Sequence, residues 1–152
     1  SAAPSSSAAA TAPKPEQTFP PEQQPIVDAY YGYYDAFFAI RGESDEQIQA
    51  LLAPYATPER IEKVVSTFSK YRAEGKQQSG TAGYRPIEIV VDGQSATVTE
   101  CHDSSQESVV ATDSGQILES GVAQNKLETG LTFETATNRW LVASLSADEN
   151  AC

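Results

Sequence analysis

The feature of this sequence that most constrains its fold is a run of aromatic residues between positions 30 and 38. Six of the thirteen Phe, Tyr and Trp residues fall within these nine positions, which read YYGYYDAFF. At about 100° per residue, the apolar side chains from Ile26 to Ile40 cover about half of a helix circumference. So wide an arc predicts a deeply buried helix from Pro25 to Arg41, which Gly42 ends.

Two shorter helices should follow, each with a recognisable N-terminus. Ser44 and Gln47 form a capping box at the start of the second helix, which should end before Pro54. Thr57 as the N-cap and Pro58 at the first helical position predict the start of the third helix.

After residue 80 the apolar residues take the spacing of strands. The turn Asp92-Gly93 between the apolar runs 87–91 and 96–101 predicts a hairpin. Further strands are expected at 108–112, at 122–134 with a bend at Gly130, and at 140–145. Three helices followed by an antiparallel meander predict an α+β fold, with the three helices packed on one face of a curved antiparallel sheet.

The chain is expected to divide into a tether and one domain. Residues 1–21 are almost entirely Ser, Ala, Pro, Thr and Gln, a composition that predicts a disordered tether. Residues 22–152 are enough for a single domain with its own hydrophobic core. Such a tether suggests attachment upstream, as in a bacterial lipoprotein, so we expect membrane association only through an N-terminal anchor that precedes this sequence.

The net charge argues against some classes of partner, and the two cysteines indicate the compartment. Ten Lys and Arg residues against twenty-one Asp and Glu residues argue against nucleic acid and anionic lipid, which both need a basic surface. Cys152 ends the sequence and would fray unless tied down, so a disulfide to Cys101 is expected, with two free thiols as the alternative. A disulfide would indicate an oxidising compartment and hence an exported protein, secreted or tethered at the cell surface.

The order of the elements, with Cys101-His102-Asp103 on a middle strand, Trp140 opening the last strand and Cys152 at the end, resembles the nuclear transport factor 2-like superfamily. This superfamily includes ketosteroid isomerase and polyketide cyclases, and the chain looks most similar to exported, lipoprotein-type proteins of high-GC Gram-positive bacteria. The resemblance spans residues 23–152 and implies a cone-shaped cavity under the first helix. It also makes a homodimer through the outer sheet face a candidate assembly. It implies no activity, because this fold hosts enzymes, binders and assembly adaptors.

Few residues carry recognisable chemistry, and we predict no catalytic residue, no cofactor and no metal site. In a strand, Cys101 points away from Glu100 and His102, so Cys101 and His102 cannot easily share a metal. His102 is interpreted as a surface or partly buried histidine, and a general base supported by Glu100 is the alternative. Asp28 and Asp35 lie about 10 Å apart along the helix. They are interpreted as polar residues opposite the aromatic arc, with paired catalytic carboxylates as the alternative.

The tyrosines are the best candidates for a ligand site. A buried phenol needs a hydrogen-bond partner, so some of the four tyrosines between positions 30 and 34 should reach solvent or a cavity. Core packing is the leading interpretation of these tyrosines, and ligand lining or catalysis is the alternative. The residues predicted to bind a ligand are Tyr30, Tyr31, Tyr34, Phe38 and Trp140. Trp140, at the start of a strand, is most simply explained as a core residue.

These observations favour a non-catalytic, exported, envelope-tethered domain that binds a partner protein or a small apolar ligand. The alternative is an isomerase, cyclase or dehydratase with a tyrosine-lined pocket. In that enzyme Tyr30, Tyr31 or Tyr34 would polarise a carbonyl group while Asp35 or His102 moved protons. A third hypothesis, an aromatic surface that stacks on sugars, requires exposed ring faces, which the wide buried arc disfavours.

Overall fold

A computed structural model describes residues 17–149 and 151–152. The predicted helices are confirmed as α1 (Gln24–Ala39), α2 (Asp45–Leu52) and α3 (Pro58–Ala73), and a short 3-10 turn at Pro21–Gln23 precedes α1. Of the tether predicted for residues 1–21, residues 1–16 lie outside the described residues. None of the helices in the described ranges is long and apolar enough to cross a bilayer.

Side-chain caps fix the starts of the second and third helices as the sequence predicts. The Ser44 hydroxyl accepts a hydrogen bond of 3.2 Å from the backbone N–H of Gln47. The Thr57 hydroxyl accepts one of the same length from the N–H of Arg60. Each cap satisfies an N–H group that has no partner within its helix.

In the described part of the chain, seven antiparallel strands follow the helices. They are β1 (Lys76–Gly80), β2 (Glu88–Asp92), β3 (Ser95–His102), β4 (Glu107–Ala111), β5 (Ile117–Ser120), β6 (Asn125–Glu134) and β7 (Arg139–Glu149). They form two sheets, with strand orders β2-β3-β6-β7 and β1-β4-β5, where the sequence predicted one curved sheet. The predicted hairpin is β2–β3, and the predicted bend at Gly130 coincides with a register shift between Gly130 and Leu131.

Two of these strands, β1 and β5, are absent from the sequence prediction. The β1 sequence, KQQSG, has no apolar residue and therefore no alternation to reveal a strand. It becomes a strand because β4 pairs with it, with Lys76 opposite Ala111 and Gly80 opposite Glu107. Strand β5 in turn pairs with the other edge of β4.

Helix α1 forms the centre of the core, as its aromatic arc predicts. Its buried side chains are Ile26, Val27, Tyr30, Tyr33, Tyr34 and Ala36. They pack against the inward-facing residues of the four-stranded sheet, among them Val98, Leu127 and Val142. Gly32 gives room for the ring of Tyr55, because a Cβ at position 32 would lie 2.6 Å from it.

The predicted disulfide between Cys101 and Cys152 is present. It joins the outer face of β3 to the end of the chain beyond β7, with a Cα–Cα distance of 5.9 Å. A disulfide is compatible with an oxidising compartment.

Candidate functional site

Two charged side chains lie in the core where the four-stranded sheet faces α1. In β3 the buried positions alternate with more exposed ones, so Ala96, Val98, Glu100 and His102 share the inner face while Cys101 is exposed. Glu100 is 1% exposed and His102 is 5% exposed. The expectation that Cys101 points away from both is confirmed, and His102 is buried rather than at the surface.

Glu100 accepts hydrogen bonds from three donors. The Tyr30 hydroxyl and the backbone N–H of Arg85 both donate to Oε1, the latter at 3.1 Å. His102 donates from Nδ1 to Oε2 at 2.9 Å. A buried carboxylate needs such partners, because an unpaired one would strongly destabilise the fold.

A second carboxylate and a guanidinium continue this network towards the surface. Nε2 of His102 lies 3.4 Å from Oε1 of Glu107 in β4, and Arg41 donates from Nη2 to Oε2 of Glu107 at 3.2 Å. Arg41 also donates to the Gly80 carbonyl. The five side chains linked in this way, which we name the charge cluster, are Tyr30, Arg41, Glu100, His102 and Glu107.

The charge cluster keeps His102 protonated at neutral pH. Burial alone would lower the pKa of His102, but the hydrogen bonds to Glu100 and Glu107 and their negative charges raise it to about 9. Burial, together with the negative charge of Glu100, raises the pKa of Tyr30, so its phenol stays neutral. An imidazolium between two carboxylates can transfer a proton to a substrate only if the substrate reaches it.

A stack of three rings closes the space beside His102. Tyr84 stacks on Tyr34 with a centroid distance of 3.9 Å and on His102 with one of 4.4 Å, with interplanar angles of 15° and 18°. Because two rings cannot share one face, Tyr84 lies between Tyr34 and His102. None of five clefts of about 300 to about 420 Å³ in the described ranges is lined by Tyr30, Glu100 or His102.

The other buried phenols also find partners inside the protein. The hydroxyls of Tyr34 and Thr129 lie 2.9 Å apart, and Tyr33 accepts a hydrogen bond of 3.0 Å from Nε of Arg60. Each of the hydroxyls of Tyr30, Tyr33 and Tyr34 therefore has a protein partner, whereas the sequence led us to expect that some of them reach solvent or a cavity.

Three of the five predicted ligand-binding residues come together at the surface. Tyr31, Tyr34 and Phe38 line a groove of about 310 Å³ with Tyr84 and Asp35, and we name it the aromatic groove. Asp35 thus lies beside aromatic side chains, whereas the sequence placed it opposite the aromatic arc. Residues 31, 34, 35 and 38 share this face because they are three or four positions apart in α1.

The remaining two predicted ligand-binding residues lie elsewhere. Tyr30 belongs to the charge cluster, and Trp140 packs against Phe133 of the neighbouring strand with a centroid distance of 5.4 Å. Asp28 lines a different cleft, together with Tyr31 and Arg85.

Sequence reasoning missed three contributors, Arg41, Tyr84 and Glu107. Tyr84 lies in a segment between β1 and β2 without regular structure, so no periodicity marks it. Glu107 follows His102 by five residues, whereas Arg41 lies 66 positions before Glu107, so no local pattern in the sequence links Arg41 to them. One signal for Glu100 and His102 was available, since they continue the alternation of Ala96 and Val98.

The protonated state of His102 predicts how stability depends on pH. The pKa of His102 is raised from 6.5 to about 9, so its contribution is complete below pH 6.5 and is lost as the pH rises through 9. We expect the unfolding free energy to fall by about 3 kcal/mol between pH 6 and pH 10.

Urea unfolding of the wild type and of His102→Gln across this range measures the effect. The variant should be less stable at pH 6, and its unfolding free energy should change less with pH than that of the wild type. If the unfolding free energies of the two proteins changed with pH in the same way, His102 would be neutral in the folded protein.

No group of three or more His, Cys, Asp and Glu side chains in residues 17–149 and 151–152 could hold a metal ion. Comparison of the sequence with protein-family models gives no match, and comparison with curated proteins gives none.

Proposed function

We propose that this chain is a non-catalytic binding domain of an exported, envelope-tethered protein, and that it binds a partner protein through its surface. The observation that carries this proposal is the filled interior. The space between α1 and the four-stranded sheet is occupied by the protein's own rings and by the charge cluster, whose groups are bonded to one another.

This interior offers little support for the alternative of an isomerase, cyclase or dehydratase. Such an enzyme needs a phenol and a proton-transfer group that both face the substrate. Here the Tyr30 hydroxyl is bonded to Glu100 and His102 is covered by Tyr84. Asp35 opens on the aromatic groove, which none of Tyr30, Glu100 and His102 lines.

The compartment in this proposal rests on the disulfide and on composition. The bond between Cys101 and Cys152 suits an oxidising environment. The Ser/Ala/Pro-rich N-terminal segment is typical of a tether between a membrane anchor and a folded domain. The order of elements that suggested the nuclear transport factor 2-like superfamily agrees with this role, because the fold also serves as a binding scaffold.

The aromatic groove favours a second candidate function, the binding of a small apolar ligand. The groove of about 310 Å³ is at the lower end of the size of ligand pockets and has aromatic walls. Two of these walls, Tyr34 and Tyr84, are stacked on each other, which leaves Tyr31 and Phe38 as the main apolar surface of the groove.

Titration with the neutral fluorescent dye N-phenyl-1-naphthylamine separates the two candidates. Binding of a partner protein predicts no saturable dye binding by the wild type at micromolar concentrations. Tyr84→Ala should bind the dye, because removal of the central ring opens the interior. Saturable binding by the wild type that Phe38→Ala abolishes would overturn the proposal in favour of the small ligand. Phe133→Ala, a matched change beside Trp140, should leave the dye signal unchanged.

A further inference from the structure

Strand β2 is an edge of the four-stranded sheet, and it is unusually apolar for an exposed edge. Six large apolar side chains are exposed in the described part of the chain, and three of them are Ile87 at 45%, Val90 at 56% and Val91 at 43%. Ile87 precedes β2, and its N–H donates to the Thr99 carbonyl at 2.8 Å, so it continues the pairing with β3. We name residues 87–92 the β2 edge.

The backbone of the β2 edge is paired on one side. Its neighbour in the sheet is β3, and among residues 17–149 and 151–152 no strand pairs with its other side. An edge strand presents a row of N–H and C=O groups that can pair with an added strand. Addition of an extended peptide to such an edge is a recurring mode of recognition, in which the backbone supplies affinity and the side chains supply specificity.

The charges on the β2 edge restrict what can be added. Glu88, Val90 and Asp92 point to one face of the sheet because alternate residues of a strand do so. A second copy of this chain, paired antiparallel about Val90, would place Glu88 of each copy opposite Asp92 of the other. Like charges directly opposite each other destabilise a sheet, and the net charge of −11 adds repulsion between copies.

We propose that the β2 edge binds an extended segment of a partner protein as an added strand, and that this segment has Lys or Arg at two positions four residues apart. The two cations lie opposite Glu88 and Asp92, and an apolar residue between them packs beside Val90. The residues between these three face Ile89 and Val91 and are apolar. This inference rests on the proposed binding of a partner protein, and it identifies the surface and the chemistry of the partner.

The peptide TKVVVKT, acetylated and amidated at its ends, is the probe for this proposal. It should shift the amide NMR signals of residues 87–92 in an ¹⁵N-labelled sample at low ionic strength. The matched peptide TEVVVET should bind about tenfold more weakly, because two attractive charge pairs become repulsive. Equal affinities for the two peptides, shifts that lie elsewhere, or no binding would each overturn the proposal.

Charge reversal on the protein gives the sharper test. The double variant Glu88→Lys with Asp92→Lys should prefer TEVVVET, and the single variant Asp92→Lys should lose the preference between the peptides. Glu59→Lys with Glu62→Lys makes the same change in net charge on α3, and this control should still prefer TKVVVKT. If the control loses the preference as well, total charge explains the binding and the β2 edge does not.

The outcome is distinguishable from failure of the proposed function. Saturable dye binding in the aromatic groove would overturn the binding of a partner protein itself. If the dye does not bind and TKVVVKT does not bind either, only the proposal for the β2 edge is overturned. Concentration-dependent dimerisation with amide shifts at residues 87–92 would show that a second copy occupies the edge, and would overturn the proposed partner.

Discussion

Replacement of Glu100 with alanine should lower the unfolding free energy by about 3–5 kcal/mol, because it removes one partner from a buried, paired charge. Glu100 accepts hydrogen bonds from the Tyr30 hydroxyl, the Arg85 N–H and Nδ1 of His102. Without it, the Tyr30 hydroxyl and Nδ1 of His102 lose their acceptor, although both side chains are buried. Urea unfolding at pH 7, followed by Trp140 fluorescence, measures the change.

Two further variants show whether the loss arises from the charge cluster. Glu100→Gln keeps an oxygen that can accept from Tyr30 but removes the negative charge, so it should cost less than the alanine variant. Glu128→Ala removes a half-buried carboxylate from the neighbouring strand β6, where it faces Lys126, and should change stability by about 0.5 kcal/mol or less. If Glu100→Ala cost no more than Glu128→Ala, the charge cluster would not be part of what holds α1 on the sheet.

The elements with local signals could be predicted from the sequence. Ser44 and Thr57 cap their helices through hydrogen bonds to residues three positions ahead in the sequence. Asp92-Gly93 is the turn of a hairpin between adjacent strands. Each of these features depends on residues that are neighbours in the chain. The disulfide was predictable for a different reason, since only two cysteines were available to pair.

The charge cluster as a whole could not be predicted, because two of its contacts, Tyr30 with Glu100 and Arg41 with Glu107, join distant parts of the sequence. Tyr30 and Glu100 are 70 residues apart, and they meet only because α1 packs against the inner face of the four-stranded sheet. The packing of Tyr84 between Tyr34 and His102 depends on the path of an irregular segment for which no periodic pattern exists. Alternation along β3 could place Glu100 and His102 inside the fold, but it could not show which groups form hydrogen bonds with them.

Removal of the disulfide is expected to lower the unfolding free energy by about 4 kcal/mol, from the chain entropy that a cross-link between residues 51 positions apart removes from the unfolded state. The double variant Cys101→Ser with Cys152→Ser, compared with the oxidised wild type by urea unfolding, measures this effect. Wild type reduced with a phosphine should behave as the double variant does.

The loss should also be localised, because the bond fastens the end of the chain to β3. Amide hydrogen exchange in the double variant should accelerate first in the last residues of β7, whose partners lie at the start of β6, where Asn125 is opposite Glu149. The central β7 residues Leu141 and Val142 are buried in the core and should keep their protection. If stability and exchange were both unchanged, the disulfide would contribute nothing to the fold, and an oxidising compartment would no longer be needed to explain a stable protein.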